Sequence, residues 1–173
     1  MSKLPQDASR IKAFVLDVDG VLSANTLMIA DDGQLIRTSN IKDGFALRAA
    51  LAEGYHIAII SGGKNEIVRR RFNLLGITDI YLGISDKLPK LKQWMAKTGL
   101  GPDEIAYMGD DIADVRCMNL AGLAAAPCDA APEALEGADF ISKAKGGEGC
   151  VRDLIECVMR AQSRWPGIDT ALS

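Results

Sequence analysis

Apolar and polar positions divide the chain into two alternating kinds of segment. Short continuous apolar runs, such as 13–18 and His56–Ile60, are typical of strands buried on both faces of a parallel sheet. Longer segments with helical spacing follow most of them, and two of these segments end at Gly54 and Gly76. The alternation predicts an α/β fold with a doubly wound, Rossmann-like parallel sheet.

The same pattern sets approximate bounds for each element. The predicted strands are 13–18, 56–60, 79–82, 104–108, 123–126 and 139–142, and the predicted helices are 43–53, 64–75, 87–97, 112–119, 132–136 and 149–164. The β-prone runs 26–30 and 34–38 flank Asp31-Asp32-Gly33, which predicts a protruding β-hairpin over about residues 24–39.

Composition narrows the class of protein. A length of 173 residues with 48% apolar side chains favours one domain, 1–173, that ends in a tail from about residue 165. Lys plus Arg is 20 and Asp plus Glu is 23, so no basic excess indicates a nucleic-acid partner. No apolar run is long enough for a membrane span, and the N-terminus lacks a signal-peptide pattern. The cysteines have no zinc or disulfide spacing, which favours a cytoplasmic protein with free thiols.

Two carboxylates directly follow the first predicted strand. Asp17 and Asp19 flank Val18, and such a pair costs solvation free energy unless something binds it. Carboxylate oxygens suit a hard cation such as Mg²⁺. One carboxylate can also attack phosphorus while the other transfers protons. A turn or a helix cap explains the pair equally well when it is taken alone.

A second acidic cluster follows the strand predicted at 104–108. Asp110, Asp111 and Asp114 lie close together in the sequence. Helix capping explains one of them, because Asp110 or Asp111 can cap the helix predicted from residue 112 and acids favour a first turn. Three acids together with the earlier pair favour a bound cation.

Two further strand-to-helix connections carry candidate phosphate ligands. Ser61 precedes Gly62 and Gly63, and a hydroxyl, two glycines and a helix start can cradle a phosphate. Lys87 opens a predicted helix, where it could hold a phosphate and the nucleophile's charge. Taken alone, Ser61 fits a turn and Lys87 fits a solvated surface. Because ligands of such sheets bind at the carboxyl ends of the strands, we expect these groups to share one rim with the acids.

The order of these segments resembles the haloacid dehalogenase superfamily. Asp-x-Asp, Ser, Lys and Gly-Asp-Asp-x-x-Asp occur in that order, each in its own connection. The resemblance implies a magnesium-dependent phosphatase with an aspartyl-phosphate intermediate. It assigns the nucleophile to Asp17, the acid/base to Asp19, Mg²⁺ to Asp17, the backbone oxygen of Asp19 and Asp110, phosphate binding to Ser61 and Lys87, and support of the metal's waters and of Lys87 to Asp111 and Asp114.

The connections also resemble one capless subfamily. Only a hairpin fits between Gly20 and Asn40, so no cap domain is expected. The hairpin, residues 40–44, Arg48, Arg71 and Gly-Gly-Glu-Gly at 146–149 resemble the 3-deoxy-D-manno-octulosonate 8-phosphate phosphatases. The resemblance implies a cytoplasmic homotetramer of lipopolysaccharide precursor synthesis, with each site completed by an adjacent subunit. It places the substrate contacts on Asp19, Asn40, Ile41, Lys42, Asp43, Gly44, Arg48, Arg71 and Lys87.

Two departures keep a second substrate open. Many of these phosphatases have Arg where this chain has Gly63, and a basic residue where it has Glu148. A related class acting on 2-keto-3-deoxynononate 9-phosphate shares Gly-Gly-Glu-Gly but usually has an acid at position 63. A receiver-like signalling domain also uses an acidic pair, a Ser or Thr and a Lys. Its phosphorylated Asp stands alone after the strand, however, so Asp19 argues against that class.

Overall fold

Six short apolar strands form the centre of the molecule. The structure is a computed structural model that describes residues 8–167, so the end of the predicted C-terminal tail, 168–173, lies outside the described residues. These six are β1 (Ala13–Leu16), β4 (His56–Ile60), β5 (Asp79–Tyr81), β6 (Ile105–Met108), β7 (Leu123–Ala126) and β8 (Phe140–Ile141). Two further strands, β2 (Met28–Ile29) and β3 (Leu35–Ile36), form a separate pair. The helices are α1 (Ile41–Ala52), α2 (Glu66–Asn73), α3 (Lys87–Thr98), α4 (Ile112–Met118), α5 (Pro132–Glu136) and α6 (Cys150–Ala161).

The main sheet is parallel and has the order β5-β4-β1-β6-β7-β8. Strand β1 pairs with β4 on one side and with β6 on the other. The chain therefore runs outward from β1 in one direction and later crosses to the other side. A crevice forms at such a reversal, outside the carboxyl ends of the strands. The predicted doubly wound α/β fold is confirmed.

The two faces of the sheet are covered by separate helix layers. Phe14 and Leu16 of β1 contribute to a core with α1 and α6, whereas Ala13 and Val15 contribute to a core with α3, α4 and α5. The apolar stripe of α6 is fully buried, as its spacing predicts. Both faces of β1 are thus buried, which explains its continuous apolar run.

Side-chain caps account for the shifted starts of two helices. Asn40 accepts hydrogen bonds from the backbone of Lys42 and Asp43, so α1 begins before the predicted residue 43. Asn65 accepts one from Ile67 N at 2.9 Å, so α2 begins after the predicted residue 64. Helix α6 ends earlier than predicted, and Ser163 follows it with a positive φ of 57°.

The predicted hairpin is present and protrudes from the domain. Strands β2 and β3 pair antiparallel over two residues each, which is shorter than the predicted runs 26–30 and 34–38. Within residues 8–167 the hairpin and two single-turn 3₁₀ helices are the only additions to the sheet and its α-helices, in agreement with the predicted absence of a cap domain. No helix of this part of the chain is long and apolar enough to cross a membrane.

Helices α1 and α6 are joined through a buried carboxylate. Asp43 is 2% exposed, and its Oδ1 accepts a hydrogen bond from the backbone N–H of Arg152 at 2.7 Å. A negative charge near the start of a helix is favourable. The other oxygen, Oδ2, is buried and has no hydrogen-bond partner among the described residues. Burial outweighs the hydrogen bond and the charge of Arg152, which favour the ionised form, and raises the pKa of Asp43 to about 6. Ionisation of this carboxyl therefore destabilises the folded state.

We expect Asp43→Asn to reduce the pH dependence of stability. Because the pKa is raised in the folded protein, the carboxyl contributes stability below its ordinary value of 3.8 that is lost as pH rises through about 6. Asparagine stays neutral at both pH values. When the pH is raised from 5 to 7.5, the free energy of unfolding should therefore fall by roughly 1–3 kcal/mol more in the wild type than in the variant. Chemical denaturation at both pH values measures this difference. The exposed-turn variant Asp31→Asn should behave as wild type, and an equal slope in all three proteins would contradict the assignment.

Candidate active site

The crevice at the carboxyl ends of β1, β4 and β6 is an acidic cleft of about 420 Å³. The sheet order brings four separate strand-to-helix connections to this rim, as the sequence predicts. The cleft is lined by every predicted catalytic, metal and supporting residue, namely Asp17, Asp19, Ser61, Lys87, Asp110, Asp111 and Asp114.

A buried lysine forms the centre of the cleft. Lys87 is 5% exposed, and its Nζ lies 2.8 Å from Asp17 Oδ2 and 2.8 Å from Asp114 Oδ1. The hydroxyl of Tyr107 donates a further hydrogen bond to Asp114 Oδ1 at 2.7 Å. Burial lowers the pKa of Lys87, but the charges of Asp17 and Asp114 outweigh it and raise that pKa. Lys87 is therefore a buried cation between two carboxylates and not a solvated surface lysine.

The first carboxylate of the Asp-x-Asp pair is nearly buried. Asp17 is 7% exposed, and its Oδ1 accepts a hydrogen bond from Val18 N at 2.6 Å. Burial and the charge of Asp114 raise the pKa of Asp17 to about 7, although Lys87 opposes the shift. A carboxylate with a raised pKa needs more positive charge nearby to stay ionised at neutral pH.

The second acidic cluster places another carboxylate, that of Asp110, near Asp17. Asp110 is half-buried and rests against Gly20, where an added Cβ would lie 1.9 Å from Asp110 Oδ2. Burial and the charges of Asp114 and Asp111 raise the pKa of Asp110 to about 7. Carboxylate oxygens of Asp17, Asp110 and Asp114 lie within 4.8 Å of one another, so the donor set suits a divalent cation.

Existing hydrogen bonds distinguish ligands from supports in this cluster. Asp114 Oδ1 is bound by Lys87 and Tyr107, and Asp114 Oδ2 accepts from the backbone N–H of Asp110 at 3.2 Å. Asp111 is exposed and caps α4, its Oδ1 accepting from Ile112 N at 2.7 Å. Asp110 is thus the most exposed of the three clustered carboxylates, each oxygen of Asp17 has one partner, and Asp114 Oδ1 has two.

The phosphate-cradle segment differs in one detail from the prediction. Ser61 is 2% exposed, and its Oγ accepts a hydrogen bond from Gly63 N at 3.2 Å. Because α2 begins only at Glu66, Ser61 lies in the turn before the helix and not at a helix start. Ser61 nevertheless lines the same cleft as Asp17 and Lys87.

The hairpin contributes a residue that sequence reasoning missed. Arg37 forms a two-point ion pair with Asp19, with Nε 2.6 Å from Oδ1 and Nη2 3.0 Å from Oδ2. Tyr107 was missed as well, because it lies within an otherwise apolar strand. Arg37 opens the polar run 37–40, but spacing in the sequence does not show that it reaches Asp19.

The predicted substrate contacts at 40–44 lie outside the acidic cleft of the described chain. Asn40 caps α1 and donates to the carbonyl of Gly147 at 3.4 Å. Ile41 and Lys42 are exposed, while Asp43 is buried against α6. Their contact with substrate stays a prediction.

The remaining predicted substrate contacts lie on two other surfaces. Arg71 donates to Ser39 Oγ at 3.0 Å and approaches Gly44, where an added Cβ would lie 3.2 Å from Arg71 Nη2. Arg48 is exposed and lines a surface groove with Phe45 and Trp165. The substrate roles of Gly44, Arg48 and Arg71 also stay predictions.

The late glycine segment packs directly on the loop that follows Asp17. An added Cβ at Gly146 would lie 2.0 Å from the carbonyl oxygen of Gly20, and one at Gly147 would lie 2.3 Å from Ala24 N. Gly147 N also donates to the carbonyl of Val21 at 2.8 Å. The absence of side chains at both positions allows this close backbone approach.

Comparison with known proteins identifies the class of enzyme to which this fold and cleft belong. A family model described as haloacid dehalogenase-like hydrolase matches residues 58–154. The 3-deoxy-D-manno-octulosonate 8-phosphate phosphatase of Escherichia coli K12 is 36% identical over 157 residues, which cover 91% of this chain and 84% of that protein. The chain belongs to the haloacid dehalogenase-like hydrolases, and the predicted family is confirmed.

Solved structures of similar proteins point to one branch of the family. A 3-deoxy-D-manno-octulosonate 8-phosphate phosphatase from Moraxella catarrhalis, in complex with magnesium, phosphate and KDO, matches with a TM-score of 0.88 and 34% identity over 91% of each chain. The cobalt-bound deoxy-D-mannose-octulosonate 8-phosphate phosphatase from Haemophilus influenzae matches with a TM-score of 0.90 and 29% identity. That match covers 96% of this chain and 98% of the other.

We expect Gly146→Ala to destabilise the protein by about 1–3 kcal/mol, because the methyl group overlaps the backbone of Gly20 and neither segment can move freely. Thermal unfolding measures the loss. Gly137→Ala is the matched control, since its added Cβ would lie 3.6 Å from the nearest atom and its φ is −87°. Equal melting temperatures for the two variants would contradict the close approach.

Proposed function

We propose that this protein is a magnesium-dependent phosphatase that hydrolyses 3-deoxy-D-manno-octulosonate 8-phosphate to the free sugar acid and phosphate, in lipopolysaccharide precursor synthesis. The observation that carries the proposal is the buried Lys87 between Asp17 and Asp114, next to Asp110 in one cleft. The identity of the substrate is supported by the names of relatives that match most of the chain.

The residues of the cleft fit the two halves of a phosphoryl transfer. Asp17 attacks phosphorus in line and the bond to the sugar oxygen breaks, while Asp19 gives its proton to that oxygen. Asp19 then takes a proton from water, which cleaves the aspartyl-phosphate and releases phosphate. Lys87 and the hydroxyl of Ser61 bind phosphoryl oxygens.

Magnesium would be held by the carboxylates of Asp17 and Asp110 and by the backbone oxygen of Asp19. When bound, it neutralises the negative charge that gathers on the phosphoryl oxygens and the carboxylates. The raised pKa values of Asp17 and Asp110, both about 7, fit this role because a dication favours their ionised forms. Asp114 binds Lys87 directly, and the hydroxyl of Tyr107 donates a hydrogen bond to the same Asp114 oxygen.

We also propose that the active form is a cytoplasmic homotetramer whose hairpins meet. The hairpin exposes a cluster of apolar side chains, with Met28 67%, Ile29 76% and Ile36 48% exposed. A two-stranded ribbon is marginally stable alone, and an exposed apolar patch indicates a contact surface. Such an assembly would also bring residues that lie outside the cleft of one chain near the cleft of another.

We expect Asp17→Asn to reduce phosphate release in the presence of Mg²⁺ to less than about a thousandth of the wild-type rate, because the amide is a poor nucleophile. Phosphate release is measured with 3-deoxy-D-manno-octulosonate 8-phosphate and 2-keto-3-deoxynononate 9-phosphate side by side, which also decides between the two substrates. Asp103→Asn, at the opposite end of the sheet, should keep full activity. Substantial activity in Asp17→Asn would refute the nucleophile assignment. Faster turnover of the nine-carbon compound by the wild type would show that this compound, and not the eight-carbon one, is the preferred substrate.

We expect Ile29→Asp to yield a species smaller than the wild type and to lower activity, because a charge is costly in an apolar contact. Light scattering coupled to gel filtration gives the mass of each species. Ile141→Asp on β8 is the matched control, since Ile141 is 40% exposed but lies at the far edge of the sheet. A wild type that is a fully active monomer would rule out the proposed assembly.

A further inference from the structure

Arg37 has a largely enclosed side chain on a hairpin whose strands are exposed. Its side chain is 11% exposed, whereas the preceding residues Leu35 and Ile36 are 41% and 48% exposed. A partly desolvated guanidinium is stabilised by a partner of opposite charge, and the partner here is Asp19, whose side chain is 37% exposed. Both oxygens of Asp19 are occupied, at 2.6 Å and 3.0 Å, so the acid/base of the proposed reaction is held by the hairpin.

The guanidinium of Arg37 lies between the acidic cleft and a second cavity. Asp19 lines the acidic cleft, while Arg37 lines a neighbouring cavity of about 270 Å³ under the hairpin. That cavity has an apolar floor that includes Leu22 and Phe72, and Arg71 also borders it. No acidic side chain of residues 8–167 lines it. The cavity therefore offers two cations and no anion, which suits an anionic organic group.

Arg37 has donors left for a second anion. A guanidinium carries five N–H groups, and the pair with Asp19 uses Nε and Nη2. In the described part of the chain, Nη1 makes no hydrogen bond to a protein group. Gly63 keeps the approach open, since an added Cβ there would lie 3.3 Å from Arg37 Nη2 and 3.5 Å from Asp19 Oδ2.

We propose that Arg37 binds the carboxylate of the sugar-acid substrate, and that this carboxylate replaces Asp19 as the ion-pair partner of Arg37. The inference rests on the proposed function. While both oxygens of Asp19 are held by the guanidinium, its carboxyl group is turned toward the hairpin. A substrate carboxylate offers Arg37 an equivalent charge-assisted pair. The released Asp19 carboxylate takes up a proton from bulk solvent and gives it to the leaving oxygen. A sugar phosphate without a carboxylate leaves Asp19 paired and reacts more slowly. Arg37 is thus a specificity-determining residue.

The test compares Arg37→Gln with the wild type on two substrates. These are 3-deoxy-D-manno-octulosonate 8-phosphate and D-arabinose 5-phosphate, a sugar phosphate without a carboxylate. The ratio of the two kcat/KM values should fall about tenfold or more in the variant, mainly through a higher KM for the acid substrate. Arg160→Gln removes the same charge from the exposed surface of α6 and should keep the wild-type ratio.

A binding measurement supplements the kinetics. The affinity for the free sugar acid, measured by calorimetry, should also fall about tenfold in Arg37→Gln. If that variant does not fold, Arg37→Lys keeps the charge without the planar fork and should show a smaller loss of the same ratio. Equal losses on both substrates, or an unchanged ratio with unchanged binding, would overturn the inference. A wild type that releases phosphate from neither substrate refutes the proposed function itself, and the inference with it.

Discussion

The ion pairs of Lys87 with Asp17 and Asp114 are the interaction on which the rest of the site depends. Each of these charges is almost completely buried, so removal of one partner leaves another charge unpaired in a poorly solvated place. The three side chains come from the end of β1, the start of α3 and the start of α4. Only the reversal of strand order at β1 brings those three points together, so the fold and the cleft are specified by the same topology.

The charge balance of the cleft explains why a cation belongs there. Among residues 8–167, Lys87 is the only cation that lines the cleft, where it pairs with Asp17 and Asp114 beside Asp110. Burial, together with the nearby charge of Asp114, raises the pKa values of Asp17 and Asp110 to about 7. The cleft therefore carries more negative charge than Lys87 alone can balance. A dication corrects that excess without another side chain, whereas Asp114 already has its hydrogen bonds from Lys87 and Tyr107.

The sequence predicts the sheet and the rim of the cleft because both follow from local patterns. A buried parallel strand is a continuous apolar run, and the residue after it lies at a known edge. Caps such as Asn65 shift helix starts by a few residues, since the cap depends on a side-chain hydrogen bond that periodicity does not contain. The pair of Arg37 with Asp19 depends on how the hairpin folds back over β1, so no spacing predicts it.

The hairpin links the chemistry of the cleft to the surface of the molecule. Its strands are only two residues long, and it is anchored at its base by the hydrogen bond from Ala24 N to Thr38 Oγ and by the pair of Arg37 with Asp19. A ribbon this short needs contacts on its faces to hold one position. Its inner contact is the acid/base of the proposed reaction, and its outer face is apolar and exposed. In the proposed assembly, a subunit that covers the outer face would also fix the position of Arg37, so assembly and the proposed proton transfer would depend on the same element.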